Sequence, residues 1–378
     1  MDRRGEVPPP YRGREAGLAR RAHHDHLFGA TGYTGQLIAR ALDRARLPFR
    51  LAGRSAGKLA ALSQSLPLHP PVLVADVHAP DSLPTLFDGA RLLINCAGPF
   101  TDLGEPVVAL AAARGVHYLD ITNELAYVAR VQKYDARARQ TRAAIVPACG
   151  FEVALADCAA ALMARETSDV IDEISIIYYL GGSGTSVGTR LSGLRTFATS
   201  WMKFRDGKLV RQAPGAELRQ GTINGRPYAA IAFPSAETAS LPVHCRLRNI
   251  GVWMVVGRRN ARLIAAAMPV ASWLLRTPLR WVAAQAVKRD APPGEEARAR
   301  SRFAIKIEMT CRGKTLARVV TGHDEYGLTA EIAAYAAGVI TAPDYSKAGV
   351  LAPAQALVPD SFLQWLGRCA DVAVNDEN

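Results

Sequence analysis

Gly29-Ala30-Thr31-Gly32-Tyr33-Thr34-Gly35 is the stretch whose residue types and spacing most directly imply chemistry. Leu27 and Phe28 lead into it. An amphipathic run from Gln36 to Arg46 follows, with Leu37, Ile38, Ala41 and Leu42 on one face. Glycines let the backbone approach a pyrophosphate closely, and a helix N-terminus offers it free N–H groups and partial positive charge. Strand, glycine turn and helix in this order suit a dinucleotide, with Gly29, Thr31, Gly32, Tyr33, Thr34 and Gly35 on the phosphate side. The next apolar run, Phe49 to Gly53, ends in Arg54-Ser55. A carboxylate at that strand end would bind a ribose 2′-hydroxyl, whereas a guanidinium suits a 2′-phosphate. Arg54 and Ser55 therefore point to NADP over NAD. The plainer alternative is that Ser55 caps the next helix and Arg54 is a solvated charge.

A bound nicotinamide would supply hydride, and a carbonyl or imine substrate would then need a proton donor near the ends of the fifth and sixth strands. His117, Tyr118, Asp120, Glu124, Glu152 and Asp157 fall there. Strand alternation puts Tyr118 and Asp120 on one face and His117 and Leu119 on the other. Glu124 leads because it follows the fifth strand's end; Asp120 and Tyr118 come next. The alternative for Glu124 is a charge complementing a helix N-terminus. Cys149 has no basic neighbour and reads as a buried small residue.

The elements that must position these groups alternate as in a doubly wound α/β domain. Strands are expected at residues 71–77, 92–96, 116–121 and 144–148. Helices are expected from Ser55 to about Leu66, over 81–87, from Pro106, and as one long segment to about Arg142. Asp76, after the third strand, could meet an adenine edge. Ala97, Gly98 and Pro99, after the fourth, are small enough to let a cofactor pass. The first strand is the weak point: only Leu27 and Phe28 follow a charged stretch, where four to six apolar residues are expected. Residues 1–26, with Pro8-Pro9-Pro10, six Arg and His23-His24-Asp25-His26, read as a disordered tail.

From Asp172 the pattern changes. A helix is expected over about Ser186 to Phe204. Strand-like runs recur at 173–180, 228–233, 250–256, 303–310 and 315–321, the mark of a mostly antiparallel sheet. Residues 263–275 are almost wholly apolar, and Trp281 to Ala284 continue them after Arg276, Pro278 and Arg280. This falls short of the roughly 20 apolar residues of a membrane span. It reads as a buried kinked helix or, alternatively, as an interfacial segment, a lid over a greasy substrate, or a dimer helix. Leu328 to Ile340 and Phe362 to Ala370 read as helices, and the acidic tail as frayed.

The chain has 378 residues, 49% of them hydrophobic, enough for two domains. Its net charge of +12 favours anionic ligands, but no zinc-finger or helix-turn-helix spacing supports nucleic acid. The six Cys are far apart with no Cys-x-x-Cys, which suggests reduced thiols in a cytoplasm and no metal site.

Gly29 to Gly35, Ala52-Gly53-Arg54-Ser55, Asn95 to Phe100, Tyr118 to Glu124 and Ala148 to Glu152 occur in an order that resembles the saccharopine dehydrogenase-like oxidoreductases, including the trans-acting enoyl reductases. Weaker likenesses follow: Gly181 to Thr185 resembles the turn opening that family's second domain. Pro234 to Glu237 and Asn249 to Met254 resemble its inner strands, and Gly349 to Ala354 its C-terminal segment. The resemblance implies a Rossmann-type doubly wound parallel sheet with an inserted α+β domain, an NADP-type cofactor and hydride transfer. Two departures stand out. Thr122-Asn123-Glu124 replaces the family's Thr-Gly-Glu. Gly150-Phe151-Glu152 and the residues to Asp157 replace its Gly-Phe-Asp-Ser-x-Pro-Ser-Asp. The nicotinamide-side pocket is therefore expected to differ in shape. A short-chain dehydrogenase is disfavoured, since no Tyr has Lys four residues on.

The expectation is an NADP-dependent oxidoreductase acting on a C=C, C=N or C=O bond of an apolar or acyl-type small molecule. Its expected organisation is a tail (1–26), a dinucleotide-binding domain (27–152), a substrate and dimerisation domain (153–323) and C-terminal helices packing back on the first domain (324–378). A homodimer and peripheral membrane contact through 263–284 are further expectations. The alternative is a non-catalytic NADP-binding protein peripheral to membranes.

Overall fold

A computed structural model describes residues 24–182, 184–199, 201–215, 217–288 and 291–377. Residues 1–23 of the expected tail, and Ser183 of the Gly181–Thr185 turn, lie outside the described residues.

The first part of the chain alternates strands and helices: β1 (His24–Phe28), α1 (Tyr33–Arg44), β2 (Phe49–Gly53), α2 (Ala56–Gln64), β3 (Val72–Val74), β4 (Ala90–Asn95), α3 (Phe100–Arg114), β5 (His117–Asp120), α4 (Leu125–Val131), α5 (Asp135–Thr141), β6 (Ala144–Val146) and α6 (Phe151–Ala164). The second part contains β7 (Ile171–Gly181), α7 (Val187–Thr199), β8 (Met202–Arg205), β9 (Lys208–Arg211), β10 (Leu218–Ile223), β11 (Arg226–Ala232), α8 (Glu237–Ser240), β12 (Leu247–Val256), α9 (Ala261–Leu274), α10 (Leu279–Val287), α11 (Glu295–Arg300), β13 (Arg302–Cys311) and β14 (Lys314–Gly322). The chain closes with α12 (Glu325–Ile340), β15 (Gly349–Val350), α13 (Pro353–Ala356), α14 (Pro359–Cys369) and β16 (Ala373–Glu377).

Among the described residues, seven strands form a parallel sheet in the order β15-β6-β5-β4-β1-β2-β3. Leu27 lies beside Leu51 on one side and Ile94 on the other. Strand order reverses between β1 and β4, and in open α/β sheets the crevice beyond the strand ends at that point is where ligands bind. Both faces are covered. Ile38 and Leu42 of α1, Leu59 of α2 and Ile332 of α12 belong to one core; Val107 and Val108 of α3 and Tyr127 of α4 belong to the other.

The second sheet runs β10-β11-β12-β7-β13-β14-β16, with β8 on β12 and β9 on β8. Its pairings are antiparallel except β12 with β7. One face, carrying Ile174, Ile176, Ile305 and Ile307, packs on Leu155, Ala159 and Met163 of α6 in the larger core. Because β15 rejoins the first sheet after β14, β7 to β14 are an insertion, to which β16 adds an edge strand from the chain's last described residues.

The first strand corrects one expectation. It is five residues long and takes in His24, Asp25 and His26, which had read as the end of a disordered tail. Asp25 and His26 are buried. His26 Nδ1 meets the Leu86 carbonyl at 2.8 Å; burial lowers the His26 pKa and raises the Asp25 carboxyl to about 7, so below that pH the carboxyl is mostly protonated and its charge does not oppose placement in an apolar layer. Other corrections are local. Residues 80–87 form a 3-10 turn, and the long helix to Arg142 is broken at Gln132–Tyr134. The helix from Val187 stops at Thr199, ahead of the β8–β9 hairpin. Pro234 to Glu237 is a turn entering α8, not an inner strand. The acidic tail is not frayed: Ala373–Glu377 pairs with β14, and Arg318 bonds Asp376 at 2.7 Å. Residues 263–284 are not a buried helix. They form α9 and α10, whose Leu263, Trp273, Trp281 and Val282 are exposed. No described helix is long and apolar enough to cross a membrane.

Candidate functional site

A cleft of about 850 Å³ opens beyond the C-terminal ends of β1, β2, β4 and β5. Its floor is the turn from Gly29 to Gly35. Gly29 has φ +79°, and a Cβ there would come within 2.8 Å of the Cys96 carbonyl carbon and the Ala97 amide nitrogen. A Cβ on Gly35 would lie 2.3 Å from the Gly29 carbonyl oxygen. Both glycines are thus required by the turn itself. Gly32 precedes α1 without any side-chain cap, and no acidic residue occupies the helix's first turn. Its N-terminal N–H groups face the cleft with their partial positive charge uncompensated, a suitable cradle for a pyrophosphate.

Gly29, Thr31, Gly32, Tyr33, Thr34, Gly35, Arg54, Asp76, Ala97, Gly98 and Pro99 all line this cleft. Arg54 is exposed at the end of β2. Ser55 follows at the head of α2, where its side chain makes no capping bond. Asp76 Oδ1 accepts from the His78 N–H at 3.0 Å. Tyr33 reaches out of the turn, donating to the Pro293 carbonyl at 2.6 Å and meeting the Tyr326 ring edge-on at 5.0 Å.

The three acid candidates take positions behind the cleft wall. Tyr118 is fully buried; its hydroxyl accepts from Asn95 Nδ2 at 3.0 Å and lies 2.9 Å from the Tyr127 hydroxyl. Asn95 Oδ1 in turn accepts from the Ala97 N–H at 2.9 Å, so this network shapes the turn after β4. Asp120 is also fully buried. Its Oδ1 accepts from Thr122 N and Ala148 N at 3.1 and 2.8 Å, pinning the ends of β5 and β6, and burial lifts its carboxyl to about 6. Glu124 accepts from Phe100 N at 2.9 Å, Thr101 N at 2.7 Å and Ser192 Oγ at 2.7 Å. It caps α3, the alternative weighed for it from sequence, and ties that helix to α7. None of the three is among the residues lining the cleft.

Glu152 does line the cleft. It also lines a smaller cavity of about 250 Å³ with Ile121, Phe151, Val153, Leu180 and Tyr326. Thr34, Ile121, Thr122, Glu152 and Thr189 are common to both, so the cavities adjoin. Burial, and then the nearby Glu237 carboxylate, raise the Glu152 carboxyl to about 7 against the hydrogen bond it receives from Asn123. Asn123 Nδ2 donates to Glu152 Oε2 at 2.6 Å, while Asn123 Oδ1 accepts from Ser235 Oγ at 2.7 Å and Ala236 N at 2.8 Å. Glu237 accepts from Ser235 and Tyr178. Asn123, one departure from the pattern, therefore touches Glu152, the first residue of the other departing segment. Sequence reading had Glu152 among six acids and did not select it; both departures fell beside strand ends, and that was the available signal.

The outer wall is α7, contributing Val187, Gly188, Thr189, Leu191 and Ser192, with Lys288 and Pro292 beyond it. Sequence reading assigned α7 no site residue. Besides Ser192–Glu124, Arg195 pairs with Asp102 of α3 at 2.5 Å. Among the described residues no group of His, Cys, Asp and Glu could hold a metal ion.

Residues 26–146 match the family model described as saccharopine dehydrogenase NADP binding domain. The chain is 37% identical over 247 residues to the probable mitochondrial saccharopine dehydrogenase-like oxidoreductase of Arabidopsis thaliana, covering 60% of this chain and 51% of that one. It is 34% identical over 183 residues to the trans-acting enoyl reductase of Mycobacterium ulcerans, covering 46% and 40%. The matched region thus spans about half or less of these relatives' length. Apo saccharopine dehydrogenase (L-Glu forming) from Saccharomyces cerevisiae has the same fold, with TM-score 0.62, 12% identity, and coverage of 94% of this chain and 99% of that one. The glycine cradle, the strand order and these likenesses agree: residues 26–146 form a domain of the kind described as saccharopine dehydrogenase NADP binding domain, within a chain that has the fold of saccharopine dehydrogenase.

Proposed function

We propose that this protein is an NADP-dependent oxidoreductase that reduces a C=C, C=N or C=O bond of an apolar or acyl-type substrate, with Glu152 as the proton donor. The observation that carries this reading is the position of Glu152, at the junction of a dinucleotide-sized cleft and a smaller, mostly apolar cavity. The turn from Gly29 to Gly35 and the uncapped head of α1 would hold the pyrophosphate. Ala97 to Pro99 would pass along the cofactor, and Asp76 would meet the adenine end. Arg54 would take a 2′-phosphate in preference to a ribose hydroxyl. A bound nicotinamide supplies the hydride; the protein supplies orientation, dryness and the proton.

Glu152 suits the last task because a general acid works best when its pKa lies near the working pH. Asn123 orients its carboxyl, and Ile121, Phe151, Val153 and Leu180 offer apolar contact to a substrate. The enoyl reductase name of the mycobacterial relative favours a C=C bond of a thioester as the first bond to try.

The test begins with calorimetric titration by NADPH and NADH of the intact protein and of Arg54→Ala, followed by turnover of enoyl thioesters and imines. Tight NADPH binding weakened in the variant, with turnover sharply reduced in Glu152→Gln at unchanged NADPH affinity, is expected. NADPH binding without turnover across both substrate classes would favour a non-catalytic nucleotide-binding role. Undiminished turnover in Glu152→Gln would remove Glu152 from the chemistry.

A further inference from the structure

α9 has two apolar stripes. Ala261, Ala265, Met268 and Ser272 face the protein, and Ser272 Oγ donates to the Phe197 carbonyl of α7 at 2.8 Å. Leu263, Ala267, Val270 and Trp273 recur at the same helical spacing on the other side, where Leu263 is 71% exposed and Trp273 63%. α10 continues the surface with Trp281 and Val282, 62% and 67% exposed. A helix apolar on all sides is normally buried, and a contiguous apolar surface of this kind marks a contact site. No described part of the chain covers it.

The charge around this surface names its partner. Residues 258–288 contain six basic residues and no Asp or Glu. Arg258, Arg259 and Arg262 line an open concavity of about 530 Å³ at the head of α9, and none is in an ion pair among the described residues. Apolar side chains with tryptophans, rimmed by cations, match the interface of an anionic bilayer: acyl chains take the apolar face, indoles sit at headgroup level, and arginines meet phosphates. A second copy of the chain fits less well, because a two-fold contact would bring the same cations face to face. At 14 and 9 residues the helices are too short to span and would lie in the surface.

We propose that α9 and α10 dock this protein on anionic membrane surfaces. The site is one helix away from the cleft, since α9 and α10 pack on α7 and α7 walls the cleft. A greasy substrate could be drawn from the bilayer to the smaller cavity along that side.

The test is flotation of the full chain with phosphatidylcholine vesicles, with and without phosphatidylglycerol. The variants are Trp273→Ser/Trp281→Ser and Arg258→Glu/Arg259→Glu/Arg262→Glu, with folding checked by thermal unfolding and circular dichroism. At least about tenfold more wild-type protein is expected on the anionic vesicles, most of it released at high salt. Both variants are expected to lose the binding while unfolding at the wild-type temperature. Absence of flotation, equal flotation with both lipids, or undiminished binding of the folded variants would overturn the proposal. So would a dimer, seen by light scattering, that the tryptophan variant dissolves. The assay uses neither cofactor nor turnover, so its failure would leave the reading of the cleft standing.

Discussion

Asn123 and Glu152 set the chemistry at the scale of single residues. Because Asn123 donates to the Glu152 carboxylate, it holds that group's pKa below what burial and Glu237 would otherwise impose. Asn123→Gly, which removes that donor, is therefore expected to raise the pKa of Glu152. The alkaline limb of the kcat/KM profile, about pH 7 in the wild type, should move to higher pH. A profile that stays in place would mean another group titrates. Glu152→Gln is expected to lower kcat by about 10²- to 10⁴-fold, the usual worth of a general acid. Arg54→Ala should raise the Kd for NADPH by about 10- to 100-fold, and that for NADH little, through loss of a charge-assisted contact worth about 1.5–3 kcal/mol. Paired titrations read both effects. Legibility at this scale was uneven. The glycine turn and Arg54 were readable because spacing along the chain decides them. Glu124, Asp120 and Tyr118 were plausible donors by position. Only three-dimensional placement shows their polar atoms given to Phe100, Thr101, Ser192, Ala148 and Asn95.

At the scale of elements, β1 carries a cost that can be measured. Asp25 is almost fully buried, and its carboxyl is raised from 3.8 to about 7. A carboxyl with a folded-state pKa above its unfolded value contributes stability that is complete below the unfolded pKa and is lost as pH rises through the folded one. The window is thus roughly pH 4 to 7, and the loss by its upper end is about 4 kcal/mol. Asp25→Val should raise the unfolding midpoint at pH 8.5 and do much less at pH 5, as scanning calorimetry at the two values would show. The glycine turn gives the opposite case: Gly35→Ala drives a Cβ into the Gly29 carbonyl, so a loss of about 1–3 kcal/mol and weaker nucleotide binding are expected together. The apolar runs of β2, β4, β5 and β6 were readable in the sequence because strands buried on both faces have few alternatives. β1 was obscured by Asp25 and His26, which break the apolar run yet are accommodated inside it. β8, β9, β10 and β16 were missed because they are short or polar strands at the margins of the second sheet, without an apolar run to mark them; β8 with β9 and β10 with β11 are local hairpins, and β16 pairs with a partner distant in the chain.

At the scale of the whole molecule, the cleft joins the parallel sheet to the insertion. Beside it, Ser192 and Arg195 of α7 reach Glu124 and Asp102. A nucleotide bound there contacts both halves, so NADPH at a hundredfold its Kd should stabilise the native state by about 2.7 kcal/mol. Slower amide exchange is expected in residues 187–199 as well as in 29–36; protection confined to the glycine turn would show that α7 stands apart from the ligand. The insertion itself was legible as a change from helix-rich to strand-rich pattern after Asp172, whereas the exposed side of α9 was not, because an apolar helix reads alike whether covered or bare. The chain's route has one more effect. It crosses to the second sheet at β7, returns for β15, and crosses again for β16. Neither sheet is one uninterrupted stretch of polypeptide, so no single proteolytic cut releases either of them whole. A nick between residues 291 and 301 would leave two pieces interlaced through β13, β14 and β16 on one side and β15 on the other, migrating together until denatured.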